Sequence, residues 1–459
     1  MFSAQLQKRS RFILTAVAAS SATYLANNNM TFADSKPKSK KVVVIGGGSG
    51  GIGVSAMLGN EGFENVSVIE PKDVHYYQPI WSLVGANAAP NSKSVRPMKE
   101  IFPASAKWIK NSAFHIDPEN NMITLDDGSK VEYDLLVVSA GIESLWDGIP
   151  GLKDALDDEN SGVVSIYDYN YVQKCWKNIE GFTQGRAIFM MPSTPVKCPG
   201  APQKIMWLFE ERMRDLKIRD RVSVEWWVPG GAMFGVKKYS DMLTELQKER
   251  GVIPQFKQVL TSIDGKNKKA TFKNADTGAV TVEEYDLLHA VPPMGPPAVI
   301  STSSLAAPGG FMDVDKYTLQ STKYPNVFGL GDCTNTPNSK TAAAITKQAP
   351  ILVHNLTQVA EGKEPNAKYN GYASCPLIVS KNRVILAEFG YGGKIMETFS
   401  SDTGKFPYSM FGQEGSLQQR AFFALKDTIF PYVYWNLWTK GKWFGTSGPF
   451  KPNVLEEDK

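Results

Sequence analysis

The sequence predicts an α/β protein with two Rossmann-like dinucleotide-binding domains and a C-terminal membrane-attaching region. Three observations lead there. A glycine-rich turn follows a buried-strand pattern and opens a helix. One supersecondary arrangement occurs twice. An aromatic, lysine-bearing stretch closes the chain. At 459 residues the chain is long enough for two or three domains and a large core.

Folding begins at Lys41. Val42-Val43-Val44-Ile45 is a continuous apolar run of the kind buried on both faces in a parallel sheet. The turn Gly46-Gly47-Gly48-Ser49-Gly50-Gly51 follows, then helix-compatible Ile52 to Leu58, then a second strand, Val66 to Ile69, ending at Glu70. Within Gly46-x-Gly48-x-x-Gly51 the first glycine permits the tight turn. The second lets the backbone approach a pyrophosphate, and the third lets helix and strand pack closely. The pyrophosphate would lie on the free N–H groups at the helix start. Gly46, Gly48, Gly50, Gly51 and Glu70 are therefore candidate dinucleotide-binding residues, with Glu70 accepting from the ribose hydroxyls.

Glu132-Tyr133-Asp134-Leu135-Leu136-Val137-Val138 is echoed by Glu284-Tyr285-Asp286-Leu287-Leu288-His289-Ala290. Each copy follows a hairpin-like stretch with a glycine turn, at Gly128 and at Gly278, which suggests a duplicated dinucleotide domain. Arg186 to Met191 and Val222 to Trp227 read as buried strands of the second copy. That copy lacks a glycine fingerprint. After Met191 the chain runs Pro192-Ser193-Thr194-Pro195-Val196-Lys197-Cys198-Pro199-Gly200. Its prolines remove backbone N–H groups where a phosphate would need them, so a nicotinamide is not expected there. We divide the chain into a presequence and linker (1–40), a first dinucleotide domain in two parts (41–160 and 296–365), the second Rossmann-like domain (161–295), and a C-terminal region (366–459).

The net charge of +4, with no long basic stripe, argues against a nucleic-acid partner. Four cysteines in a chain this long do not make a disulfide scaffold, so any pairing is more readily catalytic than structural. No metal-ligating set is assigned. No run of about 18 apolar residues suggests a membrane span. The first 40 residues carry Lys8, Arg9 and Arg11, are rich in serine, and hold no acid before Asp34. That composition reads as a mitochondrial transit peptide.

Gly329-Leu330-Gly331-Asp332 resembles the second FAD signature of the two-dinucleotide-domain, disulfide-reductase-like flavoproteins. Ser139-Ala140-Gly141 resembles the segment of that superfamily passing near the flavin. The stretch Val196 to Lys204, around Cys198, and Gly371 to Leu377, around Cys375, resemble the two redox-cysteine motifs of sulfide:quinone oxidoreductases, in particular the mitochondrial type. His75-Tyr76-Tyr77-Gln78-Pro79 and Lys340-Thr341-Ala342-Ala343-Ala344 are similar to further motifs of that family. The resemblance runs from about residue 41 to the C-terminus.

The resemblance implies FAD, held by the glycine turn and Glu70 and further by Gln78, Ala140, Asp332 and Lys340. It implies that hydrogen sulfide is oxidised through Cys198 and Cys375. Hydrosulfide attacks a bridge between them, a disulfide or one carrying an extra sulfur. Cys375 then holds a persulfide, and Cys198 is the thiolate that adds to or stacks on the flavin. Lys197, next to Cys198 in the sequence, either favours that thiolate electrostatically or points away from it. Electrons pass to ubiquinone, and glutathione, sulfite or cyanide removes the sulfane sulfur. Bacterial members carry a third redox cysteine in the first domain. This chain has no cysteine before Cys175, which favours the two-cysteine type and non-covalent FAD. Cys175 and Cys333 are expected to be spectators. A type II NADH:quinone oxidoreductase, or a flavin-binding protein without turnover, are the alternatives. The oligomeric state is open, a homodimer being one option.

A bilayer-held quinone calls for membrane contact. Phe422 to Phe450 is dense in aromatic residues with interspersed lysines, a composition suited to the headgroup boundary. Phe411, Phe422, Phe423, Trp435 and Trp438 are thus expected to face quinone or membrane. The protein would sit monotopically on the mitochondrial inner membrane.

Overall fold

The computed structural model describes residues 38–381, 383–398 and 417–455. The expected presequence, up to residue 37, and Phe411 lie outside the described residues.

The first sheet is built from β1 (Lys38–Ile45), β2 (Phe63–Ile69), β3 (Ala106–Ile109) and β4 (Leu135–Val138). The second holds β5 (Val163–Val164), β6 (Gly185–Met190), β7 (Val222–Val228), β8 (Ile253–Phe256) and β9 (Leu287–His289). β10 (Val327–Gly329) returns to the first sheet. All pairings are parallel, in the orders β10-β4-β1-β2-β3 and β5-β9-β6-β7-β8. The two sheets thus match strand for strand, with β1 corresponding to β6 and β4 to β9.

The echo in the sequence has a structural cause. Each copy is preceded by a three-stranded antiparallel meander, Ala113 to Glu132 in one case and Gln258 to Glu284 in the other. The aspartate at the third position of each echo caps the neighbouring strand. Asp134 Oδ2 accepts from the Lys41 N–H in β1 at 2.7 Å, and Asp286 Oδ2 accepts from the Arg186 N–H in β6 at 2.8 Å. Tyr133 and Tyr285 are both buried. The motif therefore recurs because it locks a crossover strand to the centre of each sheet.

β1 is apolar without alternation because both its faces are covered. Val42 and Val44 join the main core, while Val43 and Ile45 pack into a smaller cluster with Met312, Val314 and Cys333. The main helices are α1 (Ser49–Asn60) after β1, α2 (Ala201–Asp215) after β6, and α3 (Ala342–Ala360) after β10. An antiparallel hairpin follows, β11 (Ala373–Ser380) with β12 (Arg383–Phe389), and it carries Cys375.

The tail runs through α4 (Leu417–Ala424), a π-helical turn at Leu425–Ile429 and α5 (Phe430–Asn436). Here the expectation needs correction. Trp435 and Trp438 do not face a membrane: they are 9% and 1% exposed. The Trp438 indole donates to Ser49 O at 2.8 Å, and that of Trp435 to Lys93 O at 3.1 Å. Phe422 is buried and Phe423 half-buried against the core. The reason is complementary shape. Trp438 fills the notch left by Gly53 on α1, where any Cβ would lie 2.2 Å from the indole. Aromatic density shows that a segment buries area, but not on which side. Tyr432, at 60% exposure, and Phe450, at 43%, are large aromatics of the tail that stay outside. Among the described residues no helix is long and apolar enough to cross a membrane.

Candidate active site

The β1–α1 turn is shaped for a dinucleotide. Gly46 has φ +96°, where glycine alone is comfortable. A Cβ on Gly51 would stand 1.8 Å from Gly46 O, and one on Gly50 would stand 2.4 Å from Ser139 Oγ. A Cβ on Gly48 would meet nothing within 4 Å, so this residue borders open space at the helix start. That is where a pyrophosphate must approach. Glu70 closes β2. Its two oxygens accept from the Gly47 and Lys72 N–H groups at 2.8 Å each, so the acid shapes the loop and keeps further lone pairs for a ligand.

Asp332 stands at the end of β10. Burial raises its carboxyl above the ordinary range, against the pull of Lys340 and Lys197. The Lys340 ammonium donates to Asp332 O at 2.7 Å and Thr334 O at 2.9 Å, so it fastens the turn that carries the aspartate. Ala140, half-buried, follows β4 between these two turns. Gln78 is exposed, on a short turn (Gln78–Ile80) beside the first domain. Open N–H groups at Gly48, an acid after β2 and an acid after β10 together fit FAD.

The second β–α junction, β6 to α2, brings up sulfur. Cys198 has φ +53°, a left-handed conformation that a side chain rarely adopts. It is held there from three sides: its N–H donates to Lys340 O at 2.7 Å, and its carbonyl accepts from Ala201 N at 2.8 Å and Tyr167 OH at 3.2 Å. Through Lys340 the cysteine is tied directly to the Asp332 turn. Cys375 reaches in from β11, and the sulfurs of the two free cysteines stand 4.0 Å apart. Gly200 permits this approach, since a Cβ there would lie 2.4 Å from the Cys375 sulfur.

The Lys204 ammonium, one turn into α2 and 2% exposed, donates to Cys198 Sγ at 3.5 Å. The Cys198 thiol is held well below its ordinary range by the Cys375 hydrogen bond, with Lys204 and Lys426 assisting. Cys375 moves the opposite way, raised by its hydrogen bond to Cys198 and by burial. The pair is thus polarised, with Cys198 the thiolate and Cys375 the thiol.

Comparison with known proteins places this geometry. The family described as pyridine nucleotide-disulphide oxidoreductase matches residues 40–177. The mitochondrial sulfide:quinone oxidoreductase of Dictyostelium discoideum is 44% identical over 90% of this chain and 88% of its own length. That of Mus musculus is 40% identical over 88% of this chain and 87% of its own. The chain belongs to the sulfide:quinone oxidoreductases. The X-ray structure of the Aquifex aeolicus sulfide:quinone oxidoreductase superposes with TM-score 0.71, covering 87% of this chain and 92% of that one at 18% identity, a likeness of fold.

In this sulfide:quinone oxidoreductase the other two cysteines, Cys175 and Cys333, are both free and fully buried. Cys175 is fully buried under Gly85, and burial drives its thiol up. Cys333 donates to Leu330 O at 3.3 Å and is pushed up to about 11 by burial.

Three residues of the site carry no role in the sequence reading. Lys197, adjacent to the sulfur in sequence, turns its ammonium over the Trp81 ring and towards Asp332, so Lys204 is the cation at the thiolate. Its place in the first turn of the helix that follows the cysteine loop is the signal that would find Lys204. Tyr167 and Lys426 arrive from distant segments and leave no such signal.

Proposed function

We propose that this chain oxidises hydrogen sulfide at Cys198 and Cys375 and delivers the electrons to ubiquinone. The observation that carries the reading is the polarised sulfur pair, 4.0 Å apart, beside a turn fitted for FAD. The chemistry FAD supplies when bound is two-electron transfer between the sulfur pair and a quinone. Glu70, Asp332 and the glycine turn hold it, with Ala140 and Lys340 shaping its surroundings. In the oxidised pair, hydrosulfide attacks the Cys375 sulfur. The S–S bond breaks, Cys375 keeps the incoming sulfur as a persulfide, and Cys198 leaves as a thiolate facing Lys204 and the start of α2. Glutathione, sulfite or cyanide then removes the outer sulfur. The protein works at the mitochondrial inner membrane, attached from one side through the face bearing Tyr432.

The loop that carries Cys198 also speaks against the NADH alternative. Pro192, Pro195 and Pro199 stand at the junction where a second dinucleotide would need backbone donors. Anaerobic stopped-flow tests the reading. Sulfide is expected to bleach the flavin absorbance within the mixing series, and NADH to leave it unchanged. Bleaching by NADH alone would overturn the assignment.

A further inference from the structure

Five of the six residues in the turn 46–51 are glycine. Glycine loses more backbone freedom than any other residue when its conformation is fixed. A turn that is ordered before its ligand arrives spares the ligand that cost. Part of the ordering is local, since Glu70 accepts from the Gly47 N–H. The rest comes from the other end of the chain.

The Tyr434 hydroxyl, on α5, stands 2.6 Å from His75 Nε2 and 2.7 Å from Ser49 Oγ. His75 Nδ1 stands 3.0 Å from Gly47 O. His75 and Tyr434 are both buried. Chemistry fixes the direction of each bond. A carbonyl only accepts, so Nδ1 carries the imidazole hydrogen. Burial pushes His75 down to about 4, so at neutral pH Nε2 is bare and accepts. Burial drives the Tyr434 phenol up, so it keeps its proton and donates it to Nε2. Its oxygen then accepts from the Ser49 hydroxyl. The chain of bonds runs Ser49 to Tyr434 to His75 to Gly47. It begins and ends on the turn, on the two residues that flank Gly48.

Other contacts lay the tail along the whole of α1. At the start, the Trp438 indole donates to Ser49 O at 2.8 Å. At the end, Asn60 Nδ2 donates to Lys440 O at 3.1 Å and to Gly441 O at 3.2 Å. Gly441, with φ +65°, admits that approach, because a Cβ there would lie 2.7 Å from Met57 N.

We propose that Tyr434 is a positioning residue for the FAD site, its hydroxyl bridging Ser49 and His75 so that FAD binding and docking of the tail favour each other. The inference rests on the reading of 46–51 as the pyrophosphate turn. The Ser49 hydroxyl, with its hydrogen on Tyr434, is no donor to a phosphate, and that task is left to backbone N–H groups. Its part is to hold the turn. Coupling of this kind is reciprocal: whatever the docked tail adds to FAD affinity, bound FAD adds to docking of the tail.

The test uses the full-length protein, unmodified and as Tyr434→Phe, Ser49→Ala and the double variant. Phenylalanine keeps a ring against Tyr77 and Trp435 and deletes only the hydroxyl. FAD retention is read from flavin fluorescence recovered on dilution. Docking is read from hydrogen exchange in Phe430–Asn436, with FAD and after its removal. Each single variant is expected to weaken FAD retention by about tenfold, and the double variant by no more than either. Exchange in α5 is expected to be about tenfold slower with FAD in the unmodified protein, and to lose that response in Tyr434→Phe. A purely structural tyrosine would lower the melting temperature and leave both readouts unchanged, which would overturn the proposal. Losses that multiply in the double variant would overturn it too, since Tyr434 would then not act through Ser49. Should Tyr434→Phe fail to fold, Ser49→Ala decides: a lost FAD response in α5 supports the coupling, and an intact one refutes it. Gly48→Asp checks the reading beneath. Its backbone, at φ −71°, accepts a side chain, and the new carboxylate would stand where the pyrophosphate approaches. Full FAD retention in that variant would overturn the pyrophosphate turn itself.

Discussion

The chain builds the same strand-to-helix junction twice and puts opposite chemistry at each. After β1 the loop Gly46 to Gly51 strips away side chains, leaving bare backbone N–H groups and the open space above Gly48. After β6 the loop Pro192 to Gly200 removes N–H groups with three prolines and inserts a sulfur. Both sites lie at the C-terminal edge of a parallel sheet, where α/β folds gather ligands. On the proposed function the comparison separates scaffold from function: a helix N-terminus that favours anions would serve a pyrophosphate in one copy and a thiolate in the other. Only the residue types in the loop decide which.

The largest expected effect breaks the comparison at the second junction alone. Cys198→Ser and Cys375→Ser each remove one of two sulfurs required for the bridge. Sulfide-dependent quinone reduction should fall by more than about 10³-fold in either, with FAD content unchanged. Cys175→Ser and Cys333→Ser should keep most of their activity, since neither thiol approaches the pair. Steady-state assays beside flavin absorbance decide it. A Cys175→Ser variant as inactive as Cys198→Ser would break the pairing.

A smaller effect sharpens the electrostatic half of the comparison. At the first junction the loop N–H of Gly47 meets an acid, Glu70, whereas at the second the ammonium of Lys204 faces the sulfur. Lys204→Met should raise the Cys198 thiol from its depressed position. A thiol ionises above its pKa, so the acid limb of the sulfide reaction should move to higher pH. The loss should be about ten- to a hundredfold at neutral pH and should shrink at alkaline pH. Direct evidence would be the pH dependence of Cys198 alkylation in reduced protein. An acid limb that stays in place would mean that the Cys375 hydrogen bond alone holds the thiolate.

What the sequence makes legible follows the same division. Val42 to Ile45, the glycine turn and Glu70 are local, and spacing alone conveys their geometry. The Glu132-to-Val138 echo is legible because Asp134 and Asp286 perform one backbone task in two copies. The pairing of Cys198 with Cys375 needed the resemblance to a known family, because the two approach through tertiary folding with no local pattern between them. Lys426 is illegible for a related reason. A lysine in an aromatic tail reads as a surface anchor, and only the docking of that tail against α1 turns it inward. The same docking inverts the assignment of Trp435 and Trp438.

The inverted tail changes how membrane attachment must be tested. Removing everything from Leu417 onward would take away Trp438, Tyr434 and Lys426, and with them the cover of the glycine turn and part of the sulfur site. Loss of quinone activity would then say nothing about membranes. A surface substitution avoids this. Tyr432 is 60% exposed on α5, and Lys440 and Lys442 stand exposed just beyond it. A partly inserted tyrosine contributes less than the roughly 1.5–3 kcal/mol of full burial. A lysine near an anionic surface adds about 1 kcal/mol. Tyr432→Ser combined with Lys440→Ser should therefore weaken sedimentation with anionic vesicles by about tenfold. Turnover with a short, soluble quinone should be unchanged, because neither side chain touches the sulfur pair or the dinucleotide turn. Turnover with a long-tailed quinone in vesicles should fall in proportion to binding. If the double variant sediments as the unmodified protein does, the membrane-facing surface lies elsewhere than on α5.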